Sequence, residues 1–553
     1  RQLLAYLVRR LLENGANSSF VNQIVDTDIP PEQVAADPLI EVAAWDSTSA
    51  PNPAIRAPAE VFPGRQNARG WHVNEPASIA PLLAERAPFR EARWVAAPLL
   101  ATGGGSSEGT ERPVVNPADP DDIVGSVREA TAEDIAAALE AAPKAAEAWG
   151  AEPATRRAAA LRRAADLYEA HAGELVALAT REAGKTLPDA IAELREAVDF
   201  LRYYADAADS GPEAPPRGVI VAISPWNFPL AIFTGQIAAA LGAGNAVVAK
   251  PAEQTPLIAA RAVALLHEAG IPRAALQLLP GDGPSVGAPL AASKRLGGLV
   301  FTGSTEVAKR IDASLAAHAA PDAALIAETG GINAMIADST ALTEQLVRDV
   351  LISAFQSAGQ RCSALRVLYV QDEAYPRTVE MLKGAAAALR PGDPWDPATD
   401  IGPVIDEAAR ADIEAYVAGW PEEAVLYRRP VPERGHFVAP TILAVAGIEA
   451  VPREVFGPVL HVARFGVGTL DGVIDAINAR GFGLTFGMHS RIDDRVERIT
   501  RRIRAGNAYV NRNQIGAVVG AQPFGGEGLS GTGPKAGGPH YLPHLRRPLP
   551  QDG

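Results

Sequence analysis

Short apolar runs recur through the middle of the chain, and each is closed by glycine or proline. GVIVAISPWNFP (residues 218 to 229), AVVAK (246 to 250), LQLLPG (276 to 281) and GGLVFTGS (297 to 304) read as buried strands. The segments between them carry helical spacing, in TGQIAAALGAGN (234 to 245) and from Pro256 to Ala269. Strands without polar alternation, separated by helices, predict a parallel, doubly wound sheet. A second alternating set is expected to start at AALIAETGG (323 to 331) and to continue through a helix before Cys362 into the strand ALRVLYV (364 to 370). One long helical region is predicted from about Thr131 to Ala208, with charged and Ala-rich faces. Residues 1 to 14 predict a helix capped by Gly15, residues 25 to 70 an irregular wrap, and TGGGSSEGTER (102 to 112) a flexible loop. No repeat of 20 to 50 residues is present. The fold class is α/β, in two α/β domains.

Composition narrows the partners. The net charge is −14, from 65 acidic and 51 basic residues, which argues against nucleic acid or an anionic membrane surface as partner. No apolar run reaches the ~18 residues of a membrane span. The first residues, RQLLAYLVRRLLENG, read as a charged amphipathic helix and not as a signal peptide. A single cysteine allows no internal disulfide, so a cytoplasmic location is expected. The nine histidines form no ligand-spaced cluster, so no metal is expected.

That cysteine, Cys362, lies in FQSAGQRCSA beside Arg361. A lone cysteine is most often a small buried hydrophobe. A turn beside a cation is also where a thiol pKa falls and the thiolate acts as nucleophile. Arg361 reads equally as an electrostatic aid or as a structural or solvated side chain. Three other stretches offer partners. SPWNFP sets Asn227 at a strand end between stiffening prolines, where an amide can donate to an oxyanion, a role worth about 3–4 kcal/mol. AETGGIN presents Glu328 at a strand end before a Gly-Gly turn, as a candidate general base. AVVAKPAEQTP puts Lys250 at a strand end with Glu253 in the following turn. Ligands of doubly wound sheets sit at such strand ends. A structural turn accounts for each stretch singly.

Taken together, SPWNFP, KPAEQTP, FTGSTEVAKR, ETGG, GQRC and EVFGPVL resemble the aldehyde dehydrogenase superfamily across about residues 110 to 542. The resemblance implies a Rossmann-like NAD-binding domain, an α/β catalytic domain and a small oligomerisation arm. It implies that Cys362 attacks the aldehyde, that Asn227 and the Cys362 backbone N–H hold the oxyanion, and that Glu328 activates the hydrolytic water. Hydride would leave a thiohemiacetal for the nicotinamide, giving a thioester. It also implies an NAD site at Ser224, Pro225, Trp226, Lys250, Glu253, Gly303, Ser304, Glu454 and Phe456, with Lys250 and Glu253 on the adenosine ribose. A carboxylate there repels a 2′-phosphate, which favours NAD over NADP. No GxGxxG opens the SPWNFP unit, which counts against an ordinary dinucleotide reductase.

NRNQIGAVVGAQPFGGEGLSGTGPKAGGPHYL (511 to 542), with ETGGINAMI, resembles L-glutamate γ-semialdehyde (Δ1-pyrroline-5-carboxylate) dehydrogenase. That resemblance implies a small-molecule substrate, L-glutamate γ-semialdehyde, and a loop that anchors its α-carboxylate through the N–H groups of Gly516 and Ala517, with Ser363 opposite. YLVRRLLENGANSSFVN (6 to 22) resembles the last helix of the proline dehydrogenase barrel of bifunctional proline utilization A, where the residues matching Tyr6, Arg9, Arg10 and Glu13 surround proline. One helix makes no (β/α)8 barrel, so this chain is expected to carry only the downstream activity, the second step of proline catabolism. A homo-oligomer, first a dimer, is expected. The resemblances divide the chain into a remnant helix (1–24), a linker and wrap (25–105), an NAD-binding domain with part of the arm (106–328), a catalytic domain (329–510) and an anchor loop with an oligomerisation segment (511–553). Two readings compete: a dehydrogenase of another aldehyde, and a non-catalytic remnant that binds NAD without turnover.

Overall fold

A computed structural model describes residues 23–37, 39–40, 43, 56, 60–62, 64–211 and 214–548. The chain divides into two units, Arg1–Val61 and Phe62–Gly553. In the first, a helical turn, Pro31–Val34, is described. The helix expected over residues 1 to 14, with Tyr6, Arg9, Arg10 and Glu13, lies outside the described residues.

The second unit holds the two α/β layers. The single long helical region expected from Thr131 is four helices: Ala132–Gly150, Ala154–Ala170, Ala172–Ala183 and α1 (Leu187–Ser210). Local chemistry explains the breaks. Thr131 opens the first helix with a capping box, Pro153 precedes the second, and Gly184, at φ 65°, ends the third in the left-handed region.

The first sheet runs β5 (Ala324–Glu328), β4 (Leu296–Thr302), β1 (Val219–Ile223), β2 (Ala246–Lys250) and β3 (Leu276–Leu278), all parallel. It is extended antiparallel by Leu99–Leu100 and Gly103–Gly104. Part of the glycine-rich stretch read as a flexible loop is therefore a strand. Helices α2 (Ala231–Gly242), α3 (Pro256–Glu268) and α4 (Thr305–His318) come after β1, β2 and β4. Side chains of β1 alternate between two cores: Ile220 and Ala222 pack with Val247 and Leu276, while Val219 and Val221 pack with Val248 and Leu299. That double burial explains why these strands show no polar alternation. Each buried valine or isoleucine stabilises the fold by about 1.5–3 kcal/mol.

The second sheet runs Val425–Arg428, β8 (Thr441–Ala444), β9 (Val459–Phe465), β7 (Leu365–Gln371), β6 (Asn333–Ala337), β10 (Thr485–His489) and β11 (Asn507–Val510). Only its first strand is antiparallel. Helix α5 (Thr343–Phe355) joins β6 to β7. AALIAETGG does not begin this second set as expected. Its strand, β5, is the edge of the first sheet. Four residues separate β5 from β6, too few for the crossover that neighbouring parallel strands require. A smaller three-stranded sheet pairs Asp119–Arg128 with Trp94–Ala96 and Glu111–Asn116.

Candidate active site

The first sheet reverses its strand order between β1 and β4, so a crevice opens at their C-terminal ends. Ser224, directly after β1, donates through Oγ to Gln236 Oε1 at 2.7 Å, and Gln236 donates to Thr302 Oγ1 at 3.1 Å. Gly303 N–H donates to the Glu328 carbonyl at 3.1 Å. The ends of β1, β4 and β5 are thus tied in one row. Ser304 caps α4 by accepting from Val307 N–H.

The nucleophile candidate comes from the opposite sheet, in the turn before β7. Here the chain leaves α5 through Ser357 and Ala358, both at positive φ (54° and 52°). Non-glycine residues in that region cost about 1–3 kcal/mol each and persist only where their surroundings hold them. The hold is visible. Asn333 Nδ2 donates to the Cys362 carbonyl (2.6 Å) and the Ala364 carbonyl (3.0 Å). Thr485 Oγ1 donates to the Ser363 carbonyl at 3.1 Å. The buried Arg366 fork donates to the carbonyls of Gly359 (2.8 Å) and Arg361 (3.1 Å). Asn227 Nδ2 donates to the Gln360 carbonyl at 3.0 Å, so one of its two N–H groups fastens the SPWNFP turn to the cysteine turn.

Arg361 is structural. Its guanidinium pairs with buried Asp189 at 2.7 Å, and Gln356 donates to the same carboxylate. This overturns the expectation of a thiol lowered by its cationic neighbour. Burial, then the charges of Glu454 and Glu328, push the Cys362 thiol up to about 12, against smaller lowering from the Ser363 N–H and Arg361. The thiol is protonated at neutral pH, and its attack requires a base.

Glu328 is the candidate base. Burial pushes its carboxyl up to about 8, with partial relief from Gly526 N–H, which donates to Oε2 at 2.8 Å. Oε1 is buried with no hydrogen-bond partner among the described residues. The adjoining Gly-Gly turn is a packing requirement: a Cβ on Gly330 would lie 1.8 Å from Glu454 Oε2. Glu454 is 3.5 Å from Arg366, and Phe456 meets Trp226 edge-on at 5.5 Å. Lys250 is buried, donates to the Pro251 carbonyl at 2.8 Å and stands 3.6 Å from Glu253.

A cavity of about 260 Å³ brings together Cys362, Ser363, Glu328, Gly516 and Ala517. Asn227, Ser224, Pro225, Trp226, Lys250, Glu253, Gly303, Ser304, Glu454 and Phe456 stand outside that lining. Among the described residues there is no cluster of metal-ligating side chains and no helix long and apolar enough to cross a membrane.

A model of the aldehyde dehydrogenase family matches residues 105–547. The chain belongs to the aldehyde dehydrogenase family. This aldehyde dehydrogenase is 51% identical over 571 residues to "Bifunctional protein PutA" of Klebsiella aerogenes, covering 100% of this chain and 43% of that protein. The chain therefore spans less than half the length of the curated PutA relatives it matches. It is 36% identical over 451 residues to "1-pyrroline-5-carboxylate dehydrogenase 2" of Bacillus subtilis, covering 77% of this chain and 87% of the relative. Among solved structures, "1-Pyrroline-5-Carboxylate Dehydrogenase from Thermus with bound NAD" superposes with a TM-score of 0.82 at 32% identity, over 88% of this chain and 98% of that one. A Bradyrhizobium japonicum Proline Utilization A mutant superposes with a TM-score of 0.86 at 50% identity, over 99% of this chain and 54% of that one.

Sequence reasoning missed one wall of this dehydrogenase's cavity. Ala192, Arg195, Glu196, Asp199 and Phe200 of α1 all line it. Their i, i+3, i+4, i+7 spacing is one helix face. In a helix whose other positions are largely apolar, that face was the available signal. Burial pushes Glu196 up to about 8. Glu193, also buried, accepts from Ala231 N–H at 2.8 Å at the start of α2 and pairs with Lys185 at 3.1 Å.

Proposed function

We propose that this chain oxidises L-glutamate γ-semialdehyde to L-glutamate with NAD, the second step of proline catabolism. The observation that carries the reading is the single cavity lined by a thiol, a carboxyl held near neutrality and a glycine-bearing loop. Gly516, at φ 90°, lets the loop turn successive N–H groups inward, which suits a carboxylate. Ser363 adds a hydroxyl, and Arg195, Glu196 and Asp199 of α1 add polar groups to the same cavity. Relatives named 1-pyrroline-5-carboxylate dehydrogenase support it.

The crevice at the β1/β4 reversal fits the cofactor by its donor set. Lys250 and Glu253 form an ammonium–carboxylate pair suited to a ribose diol, and the N-terminus of α4 suits a pyrophosphate. Ser224, Pro225, Trp226, Gly303 and Ser304 would line its path, with Glu454 and Phe456 at the nicotinamide end. NAD, when bound, supplies the hydride acceptor.

The protein's own groups do the rest. Glu328 takes the thiol proton as the Cys362 sulfur forms a bond to the aldehyde carbon. The Cys362 backbone N–H and the second N–H of Asn227 receive the oxyanion. Once the carbon has lost hydride it is a thioester of Cys362. Glu328, after passing its proton to solvent, takes one from water. The hydroxide adds to the carbonyl, the C–S bond breaks, and the leaving thiolate takes the proton back from Glu328, which restores the thiol. A cytoplasmic homodimer completes the reading, and sedimentation at twice the chain mass would match it.

The test is NADH formation from glutamate γ-semialdehyde, with pentanal as the uncharged comparison and Cys362→Ala as control. We expect turnover that C362A abolishes and a lower KM for the semialdehyde. Turnover by C362A, or NAD binding with neither aldehyde oxidised, would overturn the reading. Equal kcat/KM on both aldehydes would shift it to another substrate.

A further inference from the structure

We infer that Arg65 is a positioning residue that fixes the loop 516–520 and so sets the preference for a carboxylated aldehyde. The inference rests on the substrate reading above and deepens it. Arg65 precedes the residues matched by the family model, which begin at 105. The stretch around it reads from sequence as an irregular wrap. In the structure it reaches the substrate loop.

Arg65 Nη2 donates to the Val519 carbonyl at 3.0 Å, across 454 positions of sequence. Val518 and Val519 line the same cavity as Gly516 and Ala517. The loop is therefore pinned at and after its candidate anion-binding N–H groups. Tyr509 donates through its hydroxyl to the Gly516 carbonyl at 3.1 Å, in the peptide that carries the Ala517 N–H. After them comes the arginine. The guanidinium is itself fixed, between the rings of Phe62 (4.7 Å) and Tyr203 (5.4 Å). Its approach requires a glycine: Gly520 has φ 82°, and a Cβ there would lie 2.7 Å from Arg65 Nη1. Three residues on, Ala68 N–H donates to Asp199 Oδ1 at 2.8 Å, and Asp199 lines the cavity too. The segment 65–68 thus braces two walls of one cavity. A loop whose N–H groups must converge on a carboxylate loses affinity when it is free to fluctuate.

The experiment uses the full chain and the variants Arg65→Met, Arg65→Lys and Gly520→Ala. KM and kcat are measured for glutamate γ-semialdehyde and pentanal, and amide hydrogen exchange is followed over 512–522. In R65M, KM for the semialdehyde should rise about tenfold, the effect of one lost hydrogen bond to a fixed loop, with kcat within about twofold. KM for pentanal should not move, and exchange at 516–520 should quicken. R65K should fall between R65M and the native chain. G520A drives a methyl into the guanidinium and should reproduce the R65M pattern. Equal losses on both aldehydes, or unchanged KM and unchanged exchange in R65M, would overturn the inference. If the native chain shows no preference for the semialdehyde, the substrate reading fails, and exchange alone decides the brace: unchanged protection at 516–520 in R65M overturns it.

Discussion

The two large sheets meet the site with opposite ends. The first contributes residues at or just past the ends of its strands: Ser224 after β1, Lys250 closing β2, Gly303 after β4, Glu328 closing β5. The second contributes residues at or just ahead of its strand starts: Cys362 and Ser363 lie just before β7, and Asn333 opens β6 beside it. The difference is one of support. A residue at the C-terminal end of a parallel strand is aimed by a ladder already formed along the strand behind it. A residue in the turn before a strand has no ladder yet, and its carbonyls must be held from below. Asn333, Thr485 and Arg366 do this. The first sheet therefore presents its candidate side chains on finished strand ends, and the second presents Cys362 and Ser363 from a turn whose backbone is braced.

The largest effect expected on the first sheet's side is from Glu328→Gln. Removing the base should slow turnover by about 10²–10⁴. In the native chain, activity should rise with pH through about 8, as the carboxylate forms, and E328Q should flatten that limb. Stability carries the same signature with its own sign. The folded value, about 8, lies above the ~4.3 of an unfolded glutamate, so the native state holds the proton more tightly. That contribution is complete below about pH 4 and is lost as pH rises through about 8. The melting temperature of E328Q relative to the native chain should increase from pH 5 to pH 9. A constant difference would show that the carboxyl is not held protonated by burial.

On the second sheet's side, Asn333→Ala removes two donors from the carbonyls flanking Ser363 and one acceptor from Thr485 N–H. Displacement of a nucleophile by about 1 Å can cost ~10²-fold, and kcat should fall by about that factor with NAD binding intact. Rates within about threefold of native would show that the turn holds itself, and the contrast between the sheets would fail.

How legible these two ends are in the sequence depends on the same contrast. Strand-end residues announce themselves because an apolar run stops at glycine or proline, and SPWNFP, AVVAKP and AETGG were all readable that way. The braces were not. Asn333 and Thr485 begin apolar strands and look like ordinary strand residues, and Asp189 and Glu196 look like solvated charges on a long helix. The thiol expectation fails because burial, with the charges of Glu454 and Glu328, outweighs Arg361, whose guanidinium pairs with Asp189. The misassigned edge strand had a signal that went unused: four residues between β5 and β6 cannot make a parallel crossover.

A milder probe of the first sheet is Lys250→Met, which keeps the stem and removes the ammonium. Burial lowers the pKa of this lysine, and the carboxylate of Glu253 offsets part of that shift. KM for NAD should rise about tenfold, the scale of one charge-assisted hydrogen bond, with the aldehyde KM unchanged. An aldehyde effect of equal size would mean that the strand end had collapsed.

The smallest effect expected is from Thr485→Val, which deletes one hydroxyl under the second sheet's turn while keeping the β-branched shape. The lost bond runs to the Ser363 carbonyl at 3.1 Å. A buried carbonyl left without its donor costs about 1–3 kcal/mol. In a chain this long that moves the melting midpoint by only a few degrees at most, because the unfolding entropy grows with length. Kinetics should be the sharper readout. Ser363 stands with Gly516 and Ala517 around the cavity, so KM for the semialdehyde should rise about threefold while kcat, governed by Cys362, stays near native. Thr485→Ser restores the hydroxyl without the methyl and should restore KM. If KM in T485V stays at the native value, the hydrogen bond does not matter. The second sheet would then hold its turn through Asn333 and Arg366 alone.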